Sequence, residues 1–103
     1  MKHVLLSADG AISVFSVPNE VADHLERYCL DFCCDWLHHS PDAAKYRVPM
    51  GNTVGVCYNE KDFIDYLNRY VCDEPSTLVV TLADVFDEKD LPEAYAGLPF
   101  FNF

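Results

Sequence analysis

KHVLLSADGAISVFSV, residues 2–17, is the stretch from which the fold can be built. Two β-rich runs flank Asp9-Gly10, and an Asp-Gly pair in that place predicts a two-residue hairpin turn, because both central positions take positive φ and these residues tolerate it. The turn sets the register. Leu6 falls opposite Ser13, Val4 opposite Phe15 and Ala8 opposite Ala11, with Leu5 and Val14 paired on the other face. Apolar groups therefore leave the ribbon on both sides, so both faces need cover, from helices and from the C-terminal tail.

Outward from the hairpin, the spacing predicts a helix from Asn19 to His38, with Pro18 near its start and Glu20 and Asp23 in the first turn, where carboxylates favour the helix dipole. Val21, Leu25, Tyr28, Cys29, Phe32, Cys33 and Trp36 recur at intervals of three and four along one stripe. The segment SPDAAKYRVPMGN, with two prolines and a glycine, reads as a loop holding one helical turn at 41–46. A third strand is expected from Thr53 to Tyr58. Asn59 then caps a second helix, with Asp62 three residues on as in a capping box, and the helix is expected to bury Phe63, Tyr66, Leu67, Tyr70 and Val71. Residues 76–86, STLVVTLADVF, pull two ways. The Leu/Val/Thr content favours a strand, while Leu78, Leu82, Val85 and Phe86 at helical spacing behind Pro75 favour a helix, the reading adopted here. The tail, residues 86–103, is expected to wrap the surface with a short turn near Pro92 to Ala96. Its end, PFFNF, reads as a flap that seals the core with Phe100, Phe101 and Phe103.

The expected architecture is thus one α+β domain over residues 1–103: a small antiparallel sheet, the N-terminal β-hairpin plus a third strand, packed with two main helices and a third. At 103 residues and 50% hydrophobic, the chain suffices for one core. No apolar run reaches the roughly 18 residues of a membrane span, and Asp9 interrupts the N-terminal run before a signal-like region forms, so a cytoplasmic location is expected. The five cysteines, at 29, 33, 34, 57 and 72, are odd in number and lie within apolar periodic segments. That placement predicts reduced thiols rather than a disulfide framework.

Chemical motifs are sparse. YCLDFCCDWLHH, residues 28–39, invites a zinc reading, but Cys29 and Cys33 belong to the apolar stripe while Cys34 and His38 share another face, so four ligands do not converge. Cys34 and His38, four apart, could form a thiolate–imidazole dyad, yet Asp35 would raise the thiol pKa and no oxyanion donors accompany them. The glycines form neither a GxGxxG nor a Walker loop. No cofactor is expected, and no catalytic residue is assigned.

Charge is the strongest signal: 17 acidic residues against 7 basic ones leave −10 at pH 7. Such a field disfavours direct nucleic-acid and anionic-membrane binding and draws in basic protein surfaces. Two acidic clusters stand out. Asp84, Asp87, Glu88, Asp90 and Glu93 are opposed by Lys89 alone; Glu20, Asp23, Glu26, Asp31 and Asp35 by Arg27 alone. Asp31 and Asp35, one helical turn apart, lie about 6 Å apart along the axis, in the range of successive nucleic-acid phosphates.

In size and style, EVADHLERYCLDFCCDWL (20–37) and FDEKDLPEAYAGLPFFNF (86–103) resemble the small acidic accessory proteins encoded on phages and mobile elements of gut Firmicutes. That class includes type II-A anti-CRISPR proteins. The resemblance covers the character of the whole chain and involves no diagnostic motif, so no family residue is carried over. It implies an inhibitor of an RNA-guided DNA nuclease, an enzyme that holds DNA in positively charged channels and reads a short PAM duplex with arginines. The expected function is therefore a non-enzymatic acidic binding protein that engages a basic surface of a nucleic-acid enzyme through Asp84, Asp87, Glu88, Asp90, Glu93, Asp31 and Asp35. The competing readings are a small metal-binding or thiol-dependent protein using the Cys/His helix, and a structural assembly subunit.

Overall fold

In the computed structural model, which describes residues 1–103, β1 (Lys2–Ser7) runs antiparallel to β2 (Ser13–Val17) with Val4 opposite Phe15, Leu5 opposite Val14 and Leu6 opposite Ser13. The register is the expected one, but the turn is not. The ladder ends at Leu6–Ser13, so Ala8 and Ala11 do not pair, and only Asp9 takes a positive φ, of 57°. A longer loop replaces the two-residue turn. Ser7 Oγ donates to Gly10 O at 3.0 Å, and Asp9 exchanges hydrogen bonds with the Asn102 side chain, its N–H at 2.9 Å and its carboxylate at 3.3 Å.

The first helix is segmented rather than continuous. α1 (Asn19–Asp23) ends at His24, whose φ of −133° and ψ of 40° are not helical, and α2 (Leu25–Leu30) follows. A π-helical turn over Asp31–Trp36 leads into α3 (Leu37–His39). The π turn has a packing cause. An i→i+5 turn brings residues five apart onto one side, and here Phe32 and Leu37, five apart, are both fully buried. Val21, Leu25 and Cys29 are buried as the stripe predicts, while Tyr28, Cys33 and Trp36 are partly buried at its margin. A 3-10 helix (Pro41–Tyr46) comes next, and Arg47 fixes the junction by donating to Leu37 O at 3.0 Å and Ser40 O at 2.8 Å.

Two expectations about strands are corrected. β3 (Arg47–Met50), read as loop, pairs with β4 (Thr53–Val56) in a separate two-stranded ribbon, so the strand at 53 does not join the main sheet. Pro49 is tolerated because β3 has a free edge, and only Val56, at the inner end of the ribbon, packs against the main core. Residues 76–86 form no helix. Thr77–Thr81 is β5, the edge strand beside β2 in a sheet of order β5-β2-β1-β6.

α4 (Glu60–Tyr66) starts at the predicted box: Asn59 Oδ1 accepts from the N–H of Lys61 and Asp62, and Asp62 Oδ2 accepts from Asn59 N–H at 2.9 Å. Phe63, Ile64, Tyr66 and Leu67 are buried. Tyr70 and Val71 are not, being 48% and 41% exposed, because the last turn opens into a π-helical one over Leu67–Val71 that swings them outward. Asn68 then clasps the backbone of Ser76, accepting from its N–H at 2.7 Å and donating to its carbonyl at 3.0 Å.

The tail closes the sheet. β6 (Phe100–Asn102) adds to β1 in parallel, with Phe100 beside Leu5 and Phe101 beside Leu6, so the sheet is mixed rather than antiparallel. Alternation then sorts the side chains. Val4, Leu6, Phe15 and Val17 face the helices, joined by Phe101 and Phe103, while Leu5, Ile12 and Val14 face the opposite way under Leu82, Val85, Leu91, Tyr95, Leu98 and Phe100. The result is an α+β fold in three layers, helices, sheet and tail. No helix is long and apolar enough to cross a membrane.

Candidate partner-binding faces

Which acids are free to meet a partner is decided by local pairing. Glu20 is held by Arg27 at 3.2 Å and Asp23 by Lys2 at 2.6 Å, so two of the five acids of the expected helix cluster are already neutralised. Asp31 has no cation, and Asp35 pairs only with His39, whose Nδ1 lies 2.9 Å from its Oδ1. Both aspartates are exposed.

The π turn changes what surrounds them. In an α-helix Trp36 would lie well around the axis from Asp31, but an i→i+5 turn brings residues five apart together, so Asp31, Asp35 and Trp36 line one groove with His39, Ser40 and Tyr66. The groove is an open depression of about 470 Å³. Its aromatic wall is closely packed: the Trp36 ring centroid is 5.0 Å from Tyr66, 5.2 Å from Tyr70 and 6.0 Å from Phe32. The Tyr66 phenol is held above its ordinary pKa by burial and by the nearby negative charge of Asp31 and Asp35. An adjoining depression behind Trp36 and Tyr66 carries Asp42 and Asp65 against Lys45 and Arg69, so its charges balance.

The five acids of the tail, Asp84, Asp87, Glu88, Asp90 and Glu93, are all exposed, and none has a cationic partner. Asp84 occupies the left-handed region at φ 59°, and Asp87 caps the short 3-10 helix Glu88–Asp90 by accepting from Lys89 N–H at 3.1 Å. These five do not join Asp31 and Asp35. Their segment covers the Leu5 and Val14 side of the sheet through Val85, Leu91 and Tyr95, whereas Asp31 and Asp35 ride on the helices that cover the Val4 and Phe15 side. The molecule therefore has two separate acidic faces where the sequence suggested one binding set.

Trp36 and Tyr66 are the groove residues that sequence reading assigned to the core instead. Only a π turn sets Trp36 beside Asp31, and nothing in the local sequence announces one. The thiols are dispersed in character. All five are free; Cys29 is fully buried and its pKa pushed up by burial, Cys33 is raised to about 11 by burial and by its neighbour Cys34, and Cys34 is exposed. His38 makes no hydrogen bond to Cys34; the partnered histidine is His39. No group of three His, Cys, Asp or Glu side chains is placed to hold a metal ion. Compared with models of protein families, with curated proteins and with solved structures, the chain matches none of them.

Proposed function

We propose that the chain is a non-enzymatic acidic binding protein that engages a basic surface of a nucleic-acid enzyme, with an RNA-guided DNA nuclease as the first partner to test. The observation that carries this reading is unneutralised charge. Seven carboxylates on two faces, Asp31 and Asp35 with Asp84, Asp87, Glu88, Asp90 and Glu93, lack a Lys or Arg partner in a chain of net charge −10. Natural surfaces usually intersperse the two signs, because one-sided fields cost self-repulsion, and what such a field supplies in return is steering toward an oppositely charged surface. A channel built to hold DNA or RNA is the most basic surface an enzyme presents, and an acidic protein can occupy it in competition with nucleic acid. The reading places the protein in the cytoplasm with such an enzyme.

The test is DNA cleavage by type II RNA-guided nucleases with the protein titrated in, beside two charge-reversal variants: Asp84, Asp87, Glu88 and Asp90 to Lys, and Asp31 and Asp35 to Lys. Inhibition by the native chain that one variant loses supports the reading and identifies the face. No inhibition across several nucleases at low salt overturns the nuclease as partner. Absence of any basic, nucleic-acid-binding protein among those captured from lysate then overturns the wider reading.

A further inference from the structure

Within that reading, on which this inference rests, the groove beside the π turn specifies a chemistry more closely than charge alone. We propose that the groove of Asp31, Asp35, Trp36 and Tyr66 is a seat for an arginine side chain of the basic partner.

Tyr66 points to a ligand independently of the aspartates. As a residue Tyr66 is nine-tenths buried, it lines both this groove and the adjoining depression, and its hydroxyl, which reaches solvent, makes no hydrogen bond within the chain. A phenol without a partner in the chain keeps one donor and free acceptor capacity for a ligand that reaches it. Asp31 is likewise without a cation, and Asp35 keeps carboxylate capacity beyond its bond to His39. Three oxygen-bearing groups from two elements, the π turn and α4, thus converge beside the indole of Trp36.

A guanidinium fits this set better than the alternatives do. It carries five N–H donors in a fixed plane, enough to serve two carboxylates and a phenol oxygen together, and its flat face stacks on Trp, the strongest cation–π partner. A lysine ammonium is a strongly hydrated point charge with three donors and no plane to stack. A phosphate is repelled, and a second copy of this chain would bring another −10. The adjoining depression of about 20 Å³ is too small and already charge-balanced, so the open groove is the seat.

Trp36 is the chain's only tryptophan, so its fluorescence reports on the groove. The experiment titrates the full chain with a Gly-Arg-Gly-Arg-Gly amide, and with the lysine counterpart, at about 0.15 M salt. Saturable change with the arginine peptide is expected, with the lysine peptide several-fold weaker. Asp31→Asn with Asp35→Asn should weaken arginine binding by about tenfold or more. Asp87→Asn with Asp90→Asn, which removes equal charge from the opposite face, should change it less than twofold. Tyr66→Phe should weaken it several-fold with an unchanged melting temperature. Equal losses in the two double variants, equal affinity for both peptides, or no response of Trp36 would each overturn the seat. No nuclease takes part, so a negative result here beside retained inhibition removes the seat and leaves the partner reading standing. Peptide binding without any basic partner does the reverse.

Discussion

At the scale of single residues, polar anchors and buried thiols carry effects large enough to measure. The Arg47 guanidinium holds two carbonyls at the end of α3, which would otherwise be among the unsatisfied acceptors of a helix C-terminus. Arg47→Met keeps most of the stem and removes both bonds, so it should cost about 2 kcal/mol in denaturant unfolding. Phe32 touches four aromatic rings besides Trp36, with centroids between 5.1 and 5.9 Å away, and Phe32→Ala should cost about 3–5 kcal/mol by the same assay. The titrating groups set an alkaline limit. Cys33 is raised from 9.0 to about 11 and Tyr58 from 10.0 to about 12, both chiefly by burial, and Cys29 and Cys72 shift the same way. Above about pH 9 the unfolded chain releases protons that the folded chain keeps, so stability should be flat near neutrality and fall as pH rises toward 11–12, as denaturant midpoints across that range would show. Many of these roles were legible in the sequence: the buried Cys29 and Phe32, and the Asn59–Asp62 box. Tyr66 was legible only as a core ring; that its hydroxyl lacks a partner within the chain was not, because hydrogen-bond partners across elements are not written in local spacing.

At the scale of elements, the tail is the segment with the most to lose. β6 contributes ladder bonds to β1, and Phe103 packs against Phe32, Tyr58, Phe63 and Phe101, so deletion of residues 98–103 should lower the melting temperature sharply in a thermal scan. An unchanged melt would contradict the flap. The flap was legible because three phenylalanines in four residues must be buried somewhere in so small a chain. β5 was not, and the reason is particular. A bulge at Val79 shifts the pairing so that Leu78 lies opposite Phe15 and Val80 opposite Val14, and these two partners face opposite sides of the sheet. The period-2 alternation that marks a strand is therefore erased, and Leu78 and Leu82 are left at a helix-like spacing by coincidence. The π turns escaped for a related reason: they preserve helical composition and alter only the angle between successive side chains.

At the scale of the whole molecule, sheet and charge act together. One sheet separates two acidic faces, so a partner that meets the groove does not meet the tail cluster on the same flat surface, and each face can be altered without the other. Binding to the proposed basic partner should weaken steeply between about 0.05 and 0.3 M salt, mainly through a slower association rate, which stopped-flow mixing would resolve. Charge and its sign were fully legible in the sequence; that the acids divide between two sides was not, since it depends on which face of the sheet each covering layer takes. The two layers are also unequal. The helix side rests on 15 buried residues and the tail side on 4. Segments with few buried contacts open at lower free energy, so in deuterated solvent the amide of Ile12, bonded to Val85 O, should exchange well before those of Val4 and Phe15. On that expectation the tail acids ride on the layer that opens more readily, and Asp31 and Asp35 on the one held more firmly.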